Sequence, residues 1–218
     1  MEYSLPMALE DFLPVVLSAL GFSWIAKALT RNQAAAGQLA WVGALLIVLG
    51  GFSKALWKLV IASTGTDIVW LRESLFPLMG PGFVLLAWAL WRGLKGRKYT
   101  AAQIWAVPLL LSSLALAAAG YLAMTQANRR WSLLLLIVTT LGNVWASGQL
   151  IVNAGRRKAM GAALLFLYNL LTIFLQARLA RMEQTITLQW LEQLNNTLSW
   201  AAFAAAAWLW QREQYRER

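Results

Sequence analysis

Two lysines and an Arg-Glu pair interrupt an otherwise apolar part of the chain. The sequence reads GGFSKALWKLVIAST, then a short polar stretch, then WLRESLFPLMGPGF. Lys54 and Lys58 therefore lie in one apolar segment, and Arg72 and Glu73 open the next. The two lysines are four residues apart and share one face of a helix. Charged side chains in apolar segments usually face a protein interior or a water-filled space, so this group is the first candidate for a functional site.

The depth of the two lysines in their segment predicts different partners. Lys58 lies near the end of the segment, and its flexible stem would let the ammonium reach a polar boundary. Lys54 lies about 12 Å further in than the segment's end, at 1.5 Å per residue. We therefore expect a carboxylate partner for Lys54, and the next segment offers Asp67 and Glu73 at similar depth. The other candidate carboxylates, from the first and last segments, are Glu10, Asp11 and Glu192.

Polar side chains also recur at helical spacing in three later segments. Residues three or four positions apart lie on one helix face, so each set predicts a polar stripe. We expect the stripes to face one another across a central axis and to form a ligand-binding cavity with the charged group. The stripes are Thr139, Asn143 and Ser147; Asn169, Thr172 and Gln176; and Glu192, Asn195, Asn196 and Ser199. The predicted ligand-binding or cavity residues are Lys54, Lys58, Arg72, Glu73, Asn143, Asn169, Gln176, Glu192, Asn195 and Asn196.

The stretch FPLMGPGF places helix-breaking residues inside an apolar segment. Proline lacks a backbone N–H and clashes with the preceding turn, so a kink or break is expected between Pro77 and Pro81. Broken helices often form binding sites in membrane carriers. Pro77, Gly80 and Pro81 are therefore the predicted hinge.

Composition limits the chemistry that the chain can perform. The 218 residues are 60% hydrophobic and 13% charged, and they include no Cys and no His. Soluble domains carry about 25% charged residues, so the deficit indicates a membrane protein. Without Cys and His, disulfides, thiol nucleophiles, imidazole bases and most zinc sites are excluded, and we expect no metal and no cofactor. General acid–base catalysis would depend on Glu73, Glu192, Asp67 or Lys54.

Seven apolar segments are long enough to cross a bilayer as helices, which takes about 20 residues. They are rich in Leu and Ala and do not alternate with polar residues, which favours helices over strands. The predicted fold is therefore an all-α, polytopic membrane bundle that forms a single domain, 1–218. The predicted spans are 8–29, 38–62, 68–91, 102–124, 131–153, 159–180 and 186–210.

Basic residues predict the orientation of these spans. Twelve of the 19 Lys and Arg residues fall on one side, many of them in the short loops 92–98 and 155–158. Because such residues accumulate in the cytoplasm, the N-terminus is predicted outside and the C-terminus inside. The net charge of +10 thus indicates topology rather than nucleic-acid binding. Glu2 and Glu10 without a basic region predict no cleavable signal, and the expected location is the bacterial inner membrane.

The first three and the last three spans resemble each other in sequence. WLRESLFPLMGPGFVLLAWALWR, at 70–92, aligns without gaps with WLEQLNNTLSWAAFAAAAWLWQR, at 190–212. Two shorter pairs occur at nearly the same offset and in the same order. We therefore predict parallel three-helix repeats, with the uncharged span 102–124 as a lipid-facing linker.

This 3+1+3 plan with an outside N-terminus resembles the broad group of seven-helix membrane proteins that includes the sugar-carrying SWEET and PQ-loop carriers and, more distantly, opsin-like proteins. The resemblance covers the whole chain and is architectural. The chain has no Pro-Gln motif. Span 186–210 has no lysine, so a retinal Schiff base is not expected.

Three functions fit these features. The preferred one is a carrier or binding protein for a small polar or anionic solute or a lipid headgroup. The second is a receptor or sensor subunit, in which loops 92–98 and 155–158 would dock a cytoplasmic partner. The third is an intramembrane enzyme based on carboxylates and Lys54, although no nucleophile elbow or phosphate loop is present. The expected partners are the lipid bilayer and an unidentified small-molecule or lipid ligand, with no nucleic acid and with homo-oligomer formation left open.

Overall fold

A computed structural model of the protein describes residues 4–126, 128–179, 181–183 and 185–216. All helices and strands assigned within these residues are α-helices, which confirms the all-α prediction. The helices follow the seven predicted spans to within a few residues, and two spans are each divided in two. Ala180, the last residue of a predicted span, and Glu2 lie outside the described residues. The helices are α1 (Leu5–Glu10), α2 (Phe12–Asn32), α3 (Ala34–Thr64), α4 (Val69–Glu73), α5 (Leu75–Gly93), α6 (Ala101–Thr125), α7 (Arg130–Arg156), α8 (Met160–Leu179) and α9 (Ile186–Arg216).

Local chemistry explains where several helices begin and end. Before α6, the Thr100 hydroxyl accepts a hydrogen bond from the Gln103 backbone N–H, and the Gln103 side chain accepts one from the Thr100 N–H. This reciprocal pair is a capping box that satisfies backbone donors at the helix start. α3 ends at Gly65, whose φ of 71° is a left-handed conformation that glycine adopts without strain.

Six stretches of the described chain are long and apolar enough to cross a membrane. α9 is not among them, although it is 31 residues long, because its first half is rich in Gln and Asn. Many large apolar side chains lie exposed on the outer faces of the helices. This architecture is compatible with a polytopic membrane protein. The six stretches are 5–32, 34–64, 69–93, 101–125, 130–156 and 160–179.

The seven long helices pack as a ring of six with one helix outside it. The ring runs α2, α3, α5, α7, α8, α9 and back to α2, while α6 packs on the outside against α5 and α7. Only 17% of the apolar window of α6 is buried, against 56% for the α4–α5 stretch. The peripheral place of α6 is the one expected of a lipid-facing linker. The internal repeat itself stays a prediction.

Aromatic side chains fill the centre of the ring. The Phe22 ring lies 4.8 Å from that of Phe203 and 5.7 Å from that of Trp200, measured between centroids. Phe166 packs on Phe203 from α8, and Phe83 reaches Phe22 from α5. Such edge-to-face contacts add to the stabilisation from burial. This aromatic cluster closes the middle of the bundle.

The break in the third span lies earlier than the sequence suggested. It occurs at Ser74, between α4 and α5, whereas Pro77 lies in the first turn of α5 and Pro81 lies inside that helix. Pro77 has no N–H to donate to the carbonyl of Glu73, which favours a break one turn upstream. Gly80 and Pro81 are buried. Whether they act as a hinge stays a prediction.

Candidate functional site

A cavity of about 370 Å³ lies at the end of the bundle where α3 finishes and α9 begins. Its walls come from α1, α2, α3, α5, α8 and α9, together with Asp11 between the first two helices. Of the predicted site residues, five line this cavity: Lys54, Lys58, Gln176, Glu192 and Asn196. A role for these five residues in ligand binding stays a prediction.

Lys54 lines the cavity without the ion pair that the sequence suggested. Its ammonium lies 4.0 Å from the centroid of the Trp57 ring, a cation–π contact. Within the described chain, no carboxylate lies within 4 Å of this ammonium, so the expected pairing with Asp67 or Glu73 is wrong. The reason is that both acids bind arginine outside the cavity.

Lys58 is held by a carboxylate instead of reaching a polar boundary. Its Nζ lies 2.6 Å from Oδ2 of Asp11, and the two side chains are only 18% and 11% exposed. A largely buried ion pair of this kind ties α3 to the junction of α1 and α2. The expectation that Lys58 would extend to the boundary is therefore wrong.

Arg72 and Glu73 belong to a separate cluster that does not line the cavity. Arg72 binds Oδ2 of Asp67 at 2.8 Å and Oε1 of Glu73 at 3.2 Å. Arg129, at the start of α7, binds the same Glu73 oxygen at 2.8 Å. Trp57 connects this cluster to the cavity, because its indole N–H donates to Oδ1 of Asp67 at 2.8 Å. The cluster joins α4 to the start of α7 at the same end of the bundle as the cavity.

The three predicted polar stripes differ in the groups that they bond and in whether they line the cavity. The amide nitrogen of Asn169 donates to the carbonyl oxygen and the Oγ of Ser199, at 3.1 and 2.8 Å, and so ties α8 to α9. Oδ1 of Asn143 accepts from the hydroxyl of Ser147 at 3.2 Å, within α7. Neither asparagine lines the cavity, and their predicted role in ligand binding has no geometric support there.

The third stripe, on α9, lines the cavity with Glu192 and Asn196, and the second stripe contributes Gln176. Asn195 lies beside the cavity and donates to Oε1 of the cavity-lining Gln176 at 2.8 Å. The predicted site omitted Gln189 and Gln193, which line the cavity two turns and one turn before Asn196, respectively. Their spacing of three to four residues was the signal that could have found them.

Two amide groups in the cavity wall have unused hydrogen-bonding atoms. Nε2 of Gln193 and Oε1 of Gln189 are buried and have no partner among the described residues. Gln193 is only 5% exposed. Leaving such groups unpaired costs about 1–3 kcal/mol each, so a water molecule or a ligand is expected to bind them.

The rest of the wall is apolar. Met79, Ile47 and Trp200 line the cavity together with the polar groups, and Trp200 packs on Phe203 of the aromatic cluster. No group of three or more acidic side chains in the described residues is placed to hold a metal ion. No protein-family model, curated protein or solved structure matches the chain. Its function is therefore argued from the cavity.

Proposed function

We propose that the protein is a multi-pass membrane protein that binds and carries a small polar molecule with an anionic group. The ligand would occupy the cavity at the outer end of the bundle. The observation that carries this proposal is Lys54, an ammonium in the cavity wall that contacts the face of Trp57 and has no carboxylate within 4 Å among the described residues. A cation without a carboxylate partner in a semi-apolar site attracts an anion.

The remaining wall groups define the ligand further. Gln189, Gln193 and Asn196 offer both donors and acceptors, so the ligand should carry several hydrogen-bonding groups in addition to its charge. The floor formed by Ile47 and Trp200 suits an apolar portion. A volume of about 370 Å³ lies within the usual range for small-molecule sites.

A carrier fits the surroundings of the cavity better than a simple receptor. The aromatic cluster beneath Trp200 blocks the middle of the bundle, so release to the other side would require the ring to rearrange. The discontinuity at Ser74 lies between the cavity helices α3 and α5 and supplies a point of bending. In the ring, α2, α3 and α5 form one arc, and α7, α8 and α9 form the next. This order favours two repeats that move against each other.

The charge distribution supports an orientation in which this cavity opens on the outer face of a bacterial inner membrane. The basic loops 92–98 and 155–158 lie at the opposite end of the bundle from the cavity. In this orientation the N-terminus is outside and the C-terminus is cytoplasmic. The carrier would then take up its ligand from the outside.

Native mass spectrometry of the protein purified in mild detergent tests the proposal. We expect a defined small-molecule adduct on the wild-type protein that is lost in Lys54→Met. Lys27→Met is the matched control, because Lys27 is exposed and lies on α2 outside the cavity. Loss of the adduct in both variants, or its retention in both, would contradict a site at Lys54.

Transport is then tested on the molecule that the adduct identifies. Proteoliposomes with the wild-type protein should accumulate it, and those with Lys54→Met should not. If the molecule binds through Lys54 but is not taken up, the carrier function is rejected and the sensor function is favoured.

A further inference from the structure

A second cavity of about 440 Å³ lies at the basic end of the bundle, far from the outer cavity. All of its lining residues belong to the end of α5, to Leu94 and Lys95 just after it, and to the second half of α7. α6 packs against these helices but contributes no lining residue. Since only two neighbouring helices form its walls, we describe it as the α5–α7 groove on the outside of the ring.

The polar end of the α5–α7 groove is purely cationic. Lys95 and Arg156 line it, both are exposed, and none of the acidic residues that the structure describes lines it. The Lys95 ammonium lies 3.9 Å from the centroid of the Trp91 ring, which fixes the charge over the groove. The guanidinium of Arg92 lies 4.4 Å from the same ring and adds a third positive charge nearby. A ligand with a negatively charged group would therefore complement the charge at this end of the groove.

Asn153 places a hydrogen-bond donor between these cations and the apolar wall. Its Oδ1 accepts from the Trp210 indole N–H at 2.9 Å and from the Gln214 amide at 3.2 Å. Both bonds engage the oxygen, which fixes the side chain. The amide nitrogen of Asn153 makes no hydrogen bond to another described residue, so its two N–H groups remain for an acceptor such as a phosphate oxygen.

The other end of the groove is apolar and open to the outside of the bundle. Val144, Trp145 and Val152 line it and are 39%, 40% and 52% exposed. The same face of α7 continues through the exposed Leu141 and Ile137 towards the middle of the membrane span. This apolar track has the length and direction to cover an acyl chain.

We propose that the α5–α7 groove binds a phospholipid with an anionic headgroup. The phosphate lies between Lys95, Arg156 and the Asn153 amide, and one acyl chain lies along Trp145 and the exposed face of α7. A soluble anion would use the cations but leave the apolar track uncovered, whereas an anionic phospholipid matches both ends. Basic pockets between transmembrane helices at the cytoplasmic side commonly bind such lipids.

Charge removal provides the first test. The protein in detergent is titrated with phosphatidylglycerol and, separately, phosphatidylcholine, and bound lipid is measured by native mass spectrometry. We expect the wild type to prefer phosphatidylglycerol, and the double variant Lys95→Gln/Arg156→Gln to bind it at least about tenfold more weakly. The matched control is Arg97→Gln/Lys98→Gln, which removes the same charge from exposed residues outside the groove.

Filling the groove provides a test that does not alter charge. A side chain at Gly148 would enter open space in the groove, since no atom lies within 4 Å of an added Cβ. Gly148→Leu should therefore displace the lipid without a clash. Gly120→Leu on α6, where the space is equally open, should retain it. Unfolding midpoints of both variants in detergent show that they are folded.

Any of four results would overturn the proposal. Equal weakening by the two charge variants would show a diffuse attraction to basic loops rather than a site. Equal binding of both lipids, or retention in Gly148→Leu, would exclude an anionic headgroup or this groove. Competition by inorganic phosphate as strong as that by phosphatidylglycerol would assign the cations to a soluble anion.

Discussion

At the scale of single residues, Lys54 and Lys58 differ in their partners although they lie one turn apart on α3. Asp11 neutralises Lys58 at 2.6 Å, while Lys54 contacts the Trp57 ring at 4.0 Å. Once two opposite charges are buried as an ion pair, each depends on the other, because removal of one partner leaves an unpaired charge in the interior. Lys54 has no carboxylate within 4 Å among the described residues, so no such ion pair gives its charge a role in stability. We therefore propose that Lys58 contributes to stability and that Lys54 contributes to ligand binding.

Asp11→Asn tests the structural half of this assignment. The substitution leaves the Lys58 ammonium without its carboxylate, so the free energy of unfolding should fall by about 2–4 kcal/mol. Thermal or denaturant unfolding in detergent measures the loss. The ion pair between Glu213 and Arg216 is more exposed, and Glu213→Gln should cost less than about 1 kcal/mol. Equal losses in the two variants would show that the Asp11–Lys58 pair has no special role.

Asn169 and Asn196 provide a second contrast between stability and binding. Asn169 is buried and donates to Ser199 across the α8–α9 interface, while Asn196 lines the outer cavity. Asn169→Leu should lower the free energy of unfolding by about 1 kcal/mol, the usual size of an interhelical hydrogen bond in a membrane, and should leave the adduct in place. Asn196→Leu should weaken the adduct with little change in stability. The opposite pattern would assign ligand binding to Asn169.

At the scale of elements, glycines allow α3 and α5 to approach closely. A Cβ added at Gly82 would lie 2.9 Å from the carbonyl oxygen of Gly43, and one added at Gly43 would lie 2.7 Å from that of Gly82. Because both contacts are to backbone, neither helix can yield by a side-chain rotation. Small residues at such crossings are typical of membrane helix packing. The glycine-rich stretch around Pro81 is thus explained by packing as well as by any bending.

Gly82→Ala tests this helix contact. The clash should force α3 and α5 apart and lower the free energy of unfolding by about 1–3 kcal/mol, the usual cost of overpacking. Gly148→Ala is the control, since its added Cβ meets no atom within 4 Å and alanine favours a helix. The control should be neutral or slightly stabilising. A neutral Gly82→Ala would mean that the two helices separate at little cost.

The helices could be predicted from the sequence, but the groups that individual side chains contact could not. Apolar length predicts helices because each backbone polar group in an apolar environment must be bonded within its own helix. Partner choice depends on helix rotation and distance in three dimensions. Trp57 lies between Lys54 and Asp67, and Asn169 meets Ser199 across 30 residues. Neither fact follows from spacing along one helix, so the predicted residues include only part of the cavity wall.

At the scale of the whole molecule, the two cavities lie towards opposite ends of the bundle. The Lys54 cavity combines two lysines, two carboxylates, amides and an aromatic floor, and the α5–α7 groove combines cations with an exposed apolar face. The aromatic cluster around Phe22 separates them. A lipid bound to α5 and α7 would contact the junction between the two predicted repeats. Occupancy of the groove would then bias any movement of one arc against the other.

The roles proposed for the two cavities depend on the orientation of the bundle in the membrane. Because the sequence has no cysteine, this orientation can be measured by labelling introduced cysteines. Single cysteines at the exposed positions Thr66, Asn128 and Lys98 can be labelled in intact cells with a membrane-impermeant maleimide. We expect Thr66→Cys and Asn128→Cys to react from outside, and Lys98→Cys to react only after the membrane is opened. The reverse pattern would place the Lys54 cavity in the cytoplasm and the α5–α7 groove in the outer leaflet. Uptake from outside would then be excluded, although binding at Lys54 would stand.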